Sequence, residues 1–371
     1  MKLYIIAGEA SGDLHGSNLI RAFRAQKSDI EIRCWGGDLM KEQGATLVKH
    51  YRDLAFMGFL EVLLNIKTIF KNLAFCKKDI ETFAPDALIL IDYPGFNLRI
   101  AEWAAKNRIK VFYYISPQIW AWKENRIHQI KRDVDKMFVV LPFEKDFYQK
   151  HQMDVDFVGH PLLDVISERK KNTEKFLTEN NLVKKPIIAL LPGSRSQEIS
   201  TMLPLMLSVK NEFPHHQFVI AGAPGQEPSF YHAFLKSDDV NIIFGKTYDL
   251  LLHADAGLIT SGTATLEAGL FKLPQVVCYK GSQISYQIAR RLIKIKYISL
   301  VNLILDKPSV KELIQNDLSK KNITAELKAL LNDPKRIGQM TKDYDKLIEM
   351  LGGNGASERT ATGMLKIMEQ G

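Results

Sequence analysis

Cysteine is scarce in this chain. Cys34, Cys76 and Cys278 are the only three among 371 residues, scattered too widely for a disulfide framework, which fits a reducing compartment. No run reaches 18 uncharged apolar residues, so no segment is expected to span a bilayer as a helix. The apolar start Leu3–Ala7 is cut short by Gly8-Glu9, too early for a signal peptide. No His, Cys, Asp and Glu group has metal-ligand spacing, so no structural zinc is expected. Internal repeats and low-complexity tracts are missing as well. With 46% hydrophobic and 25% charged residues, the composition excludes a disordered or fibrous chain. Acid is in modest deficit, giving a net charge of +8. That excess is compatible with nucleic acid, an anionic membrane or phosphorylated substrates, so its location matters.

What is present is a repeating unit: a short apolar run, a Gly/Pro/Ser turn, then a helical pattern. Leu3–Ala7, Ile30–Cys34, Ala87–Ile91, Val111–Ile115 and Met137–Leu141 read as buried strands in the first half. Ile187–Leu191, Phe218–Ala221, Asn241–Phe244, Gly257–Thr260 and Gln275–Tyr279 repeat the theme. Continuous apolar strands alternating with helices indicate parallel sheets covered on both faces. The spacing resets around Gly159-His160-Pro161, where His160 reads as a hinge or core residue, and the polar Ser167–Asn181 follows. The expected fold is therefore α/β, with two Rossmann-like domains facing across a cleft. Their expected extents are 1–165, 166–352 and a closing helix at 353–371 that crosses back to the first domain. From Ser309 onward no strand is expected, only helices.

In such a pair, ligands sit at the carboxyl ends of the strands. The first loop there is Gly8-Glu9-Ala10-Ser11-Gly12-Asp13, opening a helix. Its N–H groups suit an anion, yet the glycine spacing is not the dinucleotide fingerprint and Glu9 and Asp13 disfavour a bare phosphate. A tight turn with Asp13 near the helix cap is the competing reading. Asp92, in Ile91-Asp92-Tyr93-Pro94-Gly95-Phe96-Asn97, leaves the strongest strand and stands where a general base would have to be. Its alternative is a helix cap at Pro94. Trp120 and Trp122, on one loop, either line a sugar or acyl site or cover the core.

In the second half, Leu191-Pro192-Gly193-Ser194-Arg195 puts an arginine beside a helix N-terminus, an arrangement suited to a diphosphate. Ser261-Gly262-Thr263-Ala264-Thr265-Leu266-Glu267 offers hydroxyls and N–H groups, with Glu267 one turn into a helix where it can hold a ribose. Arg195 and Glu267 together describe a nucleotide-sugar donor site. Ser299-Leu300-Val301-Asn302 supplies an amide near the same cleft.

Taken in order, the Gly8–Asp13 loop, Pro117-Gln118-Ile119-Trp120-Ala121-Trp122, the Arg195 loop, the Ser261–Glu267 segment and Ser299–Asn302 resemble the lipid-A-disaccharide synthases, glycosyltransferase family 19, across nearly the whole chain. Val301 departs from the family's usual proline. The resemblance implies a GT-B fold, no metal or cofactor, and peripheral attachment to the cytoplasmic face of the inner membrane of a Gram-negative cell, as monomer or homodimer. It implies transfer of 2,3-diacylglucosamine from its UDP derivative to the 6-hydroxyl of 2,3-diacylglucosamine 1-phosphate, giving a β(1→6) disaccharide and UDP. On that basis Asp92 and Arg195 are the expected catalytic residues. Ser11, Gly12, Arg195, Ser261, Gly262, Thr263, Glu267 and Asn302 are the expected substrate contacts.

Membrane contact also has support in the residues themselves. On a helical wheel, Leu60–Lys78 shows a broad apolar face of Val62, Leu63, Ile66, Ile69, Phe70 and Leu73, expected to meet the core. Beside it runs a second stripe of Leu60, Leu64 and Phe75 among Lys67, Lys71 and Lys78, the pattern of an interfacial helix. Met202, Leu205 and Met206, after the Arg195 loop, are expected as a smaller second contact. The positive charge concentrates in 67–78 and 280–296, windows that hold nine lysines and arginines and no acid, leaving the remainder nearly neutral. Two other functions compete: a UDP-GlcNAc 2-epimerase on the same fold, and a non-enzymatic membrane protein that senses UDP-sugars. Nucleic acid is not an expected partner, since no stacking surface or recognised module is present.

Overall fold

The protein was analysed as a computed structural model, which describes residues 1–54, 66–167, 169–235, 240–281 and 296–370. The chain divides into two compact units, Met1–Asp164 with Leu351–Gly371, and Val165–Met350.

In the first unit β1 (Lys2–Ala7), α1 (Ala10–Gln26), β2 (Glu31–Gly36), α2 (Asp38–Glu42) and β3 (Thr46–His50) lead to α3 (Ile66–Phe83). Then come β4 (Ala87–Ile91), α4 (Pro94–Lys106), β5 (Lys110–Tyr114), α5 (Ile127–Asp133), β6 (Lys136–Val139), α6 (Pro142–Lys150) and β7 (Val155–Phe157). The short α7 (Leu162–Ser167) follows. All seven strands pair in parallel, in the order β3-β2-β1-β4-β5-β6-β7. Chain order reverses between β1 and β4, and Ala7 pairs with Ile91. The loops after these strands therefore emerge side by side, at the position where open α/β sheets bind ligands. Every residue of β4 is buried, as its unbroken apolar run requires.

The second unit runs through α8 (Thr173–Glu179), β8 (Ile187–Leu191), α9 (Ser196–Leu207), β9 (Gln217–Gly222), α10 (Pro228–His232), β10 (Asn241–Phe244), α11 (Thr247–His253) and β11 (Ala256–Thr260). It continues with α12 (Thr263–Leu270), β12 (Gln275–Tyr279), α13 (Leu300–Leu305), β13 (Lys311–Ile314), α14 (Lys320–Asn332) and α15 (Pro334–Met350). Its six parallel strands lie in the order β10-β9-β8-β11-β12-β13. Here the reversal falls between β8 and β11, where Leu191 pairs with Ile259. The closing helix α16 (Ala356–Glu369) belongs to the first unit and packs on α1.

The expectation of two parallel sheets holds, with two additions and three corrections. Strands β3 and β7 were not legible in the sequence. The expectation of no strand beyond Ser309 is overturned by β13, which pairs with β12. Met202 and Met206 are core residues of α9, 1% and 0% exposed, and make no surface contact. With Ile199 and Leu203 they form the buried face of that helix. Phe70, read as a core residue, is instead 61% exposed on α3. His160 is buried and meets the ring of His15 edge-on at 6.5 Å.

Candidate active site

In the first unit the site grows from the paired ends of β1 and β4. Gly8 follows β1, and a Cβ there would stand 2.3 Å from the Tyr93 ring, so glycine is what lets the two loops meet. A Cβ at Gly12 would come within 3.0 Å of Ala7, which fixes how closely α1 packs on the strand. Asp13 does not face a ligand. Its buried carboxylate accepts from the backbone N–H of Gly37 at 2.7 Å, Met40 at 3.1 Å and Leu39 at 3.2 Å, anchoring α2. Ser11 is exposed in the first turn of α1.

Asp92 leaves β4 with φ +43°, and Tyr93 follows at φ +49°. Two successive left-handed residues other than glycine cost about 1–3 kcal/mol each, so the surroundings must hold them. They do: the Asp92 carbonyl accepts from the Tyr113 hydroxyl at 2.6 Å and the Asn97 amide at 2.7 Å. The Asp92 N–H donates to Tyr114. Tyr93, not Asp92, occupies the cap of α4, and it makes no side-chain cap bond. The capping alternative for Asp92 is thereby removed. Burial pushes the Asp92 carboxyl up to about 7, the Glu9 charge pushes the same way, and the Tyr93 N–H opposes them. The position of Glu9 beside Asp92 and Tyr93 was not foreseen as functional, although it stands in the quoted loop.

The tryptophan loop divides its labour. Trp120 packs edge-on against Phe143 at 4.9 Å, so it covers structure. Trp122 is 53% exposed, with Lys123 Nζ 4.2 Å from its ring centre.

In the second unit, Arg195 caps α9 in extended conformation and its side chain is exposed. Glu198 ties the loop down, accepting from the Ser194 N–H at 3.2 Å and lying 3.6 Å from the Arg195 guanidinium. Gly193 sits at φ +115°, and a Cβ there would strike Glu198 at 2.8 Å. On the neighbouring loop Gly262 has φ +153° and Thr263 is exposed at the start of α12. The Thr265 hydroxyl donates back to Gly262 O at 2.8 Å, holding that turn. Ser261 donates its hydroxyl proton to Ile298 O at 2.8 Å, so only its lone pairs stay open. Glu267 is half-buried and accepts from the Tyr248 hydroxyl at 3.1 Å. Burial holds its carboxyl above the ordinary carboxylate value, and the Tyr248 bond pulls it back.

Asn302 requires a correction. It is 1% exposed, its amide N–H groups donate to Val310 O and Glu312 at 2.9 Å each, and its oxygen accepts from Val310 N. No polar atom of that side chain is left for a phosphate. Glu312 on β13 is the organiser, since it also accepts from Ile298 N, Ser299 N and the Ser299 hydroxyl. Val301 is buried against Gly269, where it packs rather than presents a loop.

On α3, Lys67, Phe70, Lys71, Phe75 and Lys78 are exposed together. Leu73, Cys76, Ile80 and Phe83 form the opposite, buried face. Leu60 and Leu64, expected as membrane contacts, lie outside the described residues, as do Arg290, Arg291 and Lys294 of the second basic window. Among the described residues no group of three potential metal ligands occurs, and no helix is long and apolar enough to cross a membrane.

The sequence profile of the family described as lipid-A-disaccharide synthetase matches residues 3–367. The lipid-A-disaccharide synthase of Syntrophus aciditrophicus is 39% identical over 99% of this chain and 97% of its own length. That of Geobacter metallireducens is 36% identical over the same shares. Among solved structures, the UDP-GlcNAc 2-epimerase of Neisseria meningitidis bound to UDP-GlcNAc superposes with a TM-score of 0.68 at 15% identity, covering 99% of this chain and 100% of that one. The spinosyn rhamnosyltransferase superposes with a TM-score of 0.59 at 13% identity, covering 98% and 100%. At such identities these neighbours share the fold alone.

Proposed function

The chain belongs to the lipid-A-disaccharide synthetase family, and from that premise we propose how its residues perform the family's reaction. The protein is a glycosyltransferase of lipid A biosynthesis. It transfers 2,3-diacylglucosamine from its UDP derivative to the 6-hydroxyl of 2,3-diacylglucosamine 1-phosphate, with inversion, and releases UDP.

Asp92 is the general base. It takes the proton of the acceptor 6-hydroxyl as that oxygen bonds to the anomeric carbon and the bond to UDP breaks on the opposite side. A positioned base contributes about 10²–10⁴ in rate, most effectively with a pKa near the working pH. The observation that carries this role is the Asp92 carboxyl itself, raised to about 7 by burial and Glu9 on a backbone pinned by Asn97 and Tyr113. Ser11 and the N–H groups of Ser11 and Gly12 at the start of α1 contact the sugar beside it.

The second unit takes the donor. Arg195 and the N-termini of α9 and α12, at Gly262 and Thr263, balance the charge growing on the leaving diphosphate. Glu267, oriented by Tyr248, accepts from the ribose hydroxyls, and Ser261 contributes an acceptor lone pair. Residues 1–164 with the closing helix serve the acceptor and the membrane, and 165–350 the nucleotide sugar. The protein attaches peripherally to the cytoplasmic face of the inner membrane through the exposed Phe70 and Phe75 of α3, with Lys67, Lys71 and Lys78 on anionic headgroups.

Incubation with both acylated substrates tests the whole reading. Release of UDP together with a disaccharide 1-phosphate is the expected result. An isomerised UDP-sugar without disaccharide would point to epimerase chemistry, and no turnover at all to a sensor.

A further inference from the structure

Three cations of the first unit have no role in the chemistry described so far. Arg99 lies on α4 and lines a cavity of about 140 Å³ with Leu54, Ile69, Tyr93 and Phe96. Arg126 stands just before α5, whose Gln129 amide donates at 3.1 Å to the carbonyl of Leu98, the neighbour of Arg99. Lys123 precedes it on the same stretch, beside the exposed Trp122. Among the described residues no carboxylate pairs with any of the three, and nearby Glu124 is engaged by His151. Their charges also press on one another. Arg126 is held below its ordinary value first by burial, with Arg99 adding to the effect and Tyr113 opposing it. Lys123 is lowered by burial and then by Arg126.

Unpaired like charges gathered in one place are electrostatically unfavourable until an anion arrives, and guanidinium forks match phosphate oxygens. The apolar cavity beside Arg99 adds a second requirement, since it favours an amphiphile over a free nucleotide. Tyr113 ties the cluster to the reacting end: its hydroxyl donates to the Asp92 carbonyl, and it is the group that interacts with Arg126. We propose that Arg99 and Arg126, flanked by Lys123, form the subsite for the phosphate monoester of the acceptor, with the Leu54–Phe96 cavity receiving adjoining acyl chain. In a glucosamine 1-phosphate the phosphate on C1 and the hydroxymethyl group on C5 flank the same ring oxygen, at a fixed distance from one another. Fixing the phosphate on the arginines therefore orients the hydroxyl for Asp92. Arg99 and Arg126 are positioning and specificity residues in this scheme, and the proposal rests on the acceptor being a sugar phosphate.

The test is steady-state kinetics of the full chain in detergent micelles with Arg99→Gln and Arg126→Gln, using the acceptor with and without its phosphate. Each variant is expected to raise the KM for the phosphorylated acceptor by about 10- to 100-fold, the effect of losing one charge-assisted contact. The donor KM and the melting temperature are expected to hold, and the kcat at saturating acceptor to fall by less than the KM rises. With the dephosphorylated acceptor, wild type and variants should be equally poor, and Arg126→Lys should recover part of the loss. Equal losses on both acceptors would overturn the proposal. So would an unchanged acceptor KM combined with lost flotation on phosphatidylglycerol vesicles, which would assign the cations to lipid headgroups. A wrong assignment of the base shows elsewhere, in an unaltered kcat of Asp92→Ala.

Discussion

At the scale of single residues, Asp92 and Asn302 show how differently two polar groups singled out in the sequence are surrounded. The Asp92 carboxyl is shifted up by burial and by Glu9, with its backbone pinned from three sides. Asp92→Ala should lower kcat by about 10²–10⁴ while UDP still binds, as calorimetry with UDP would read. Because the deprotonated form is the base, kcat/KM should fall as pH drops below about 7. Glu9→Gln removes a like charge, so the same limb should move to lower pH; a limb that stays put would exclude Asp92 as its source. The linkage to stability has the opposite sign. A carboxyl raised in the fold stabilises it below its unfolded value, and that contribution is lost as pH rises through about 7. Asp92→Asn should therefore raise the melting temperature at pH 8 and change it little at pH 4. Asn302 titrates nothing, and its amide N–H groups are spent on Val310 O and Glu312. Asn302→Ala leaves Glu312 and Val310 short of partners, so it should cost about 1–3 kcal/mol in denaturant unfolding. Loss of UDP affinity in a variant of unchanged stability would restore it as a phosphate ligand.

At the scale of elements, legibility followed burial. The central strands β1, β4, β5, β8 and β11 are buried almost throughout, and an unbroken apolar run advertises that directly. Strands β3, β7 and β13 sit at the sheet edges, each only partly buried, with Lys49, Asp156 and Lys311 among their residues. Such short edge strands carry no apolar signature and are defined by a partner strand that a local window does not contain. The loops that follow these strands were legible as well, because their glycine and hydroxyl residues stand out after an apolar run. Glu312 was not, since its four donors all come from the Ile298–Asn302 segment and only the folded sheet brings them to it. Helices α3 and α9 show how amphipathic pattern can mislead. Both carry more apolar residues than one face needs; on α9 Met202 and Met206 are buried, whereas on α3 Phe70 and Phe75 are exposed. Replacing Phe70 and Phe75 by Ser should shift the protein from vesicles to the soluble fraction in flotation, with only a small fall in melting temperature from the lost contact of Phe75 with Trp35. Met202→Ala should do the reverse, costing about 2–5 kcal/mol of stability with flotation unchanged. Flotation insensitive to the α3 substitutions would remove that helix from the membrane contact.

At the scale of the whole molecule, the two units differ in how the chain builds them. The first is discontinuous: Met1–Asp164 is completed by Leu351–Gly371. The closing segment is not an ornament there. Ala356, Ala361, Met364 and Leu365 are buried, Arg359 donates to Val158 O, and the Asp164 carboxylate accepts from Gly355 N and Ser357 N. The second unit is a single stretch, Val165–Met350, with its own six-stranded sheet and core. Arg195, Tyr248, Ser261, Thr263 and Glu267 all lie within it. A fragment of residues 165–350 should therefore fold alone and bind UDP, whereas residues 1–164 should need the closing helix, supplied in trans or fused, before they fold. Ligand that binds only the folded state stabilises it by about 2.7 kcal/mol at a hundredfold excess over its Kd. UDP should accordingly raise the melting temperature of the 165–350 fragment, and Glu267→Gln should reduce that rise. A fragment that folds cooperatively yet melts at the same temperature with and without UDP would show that Arg195 and Glu267 are not sufficient to hold the nucleotide.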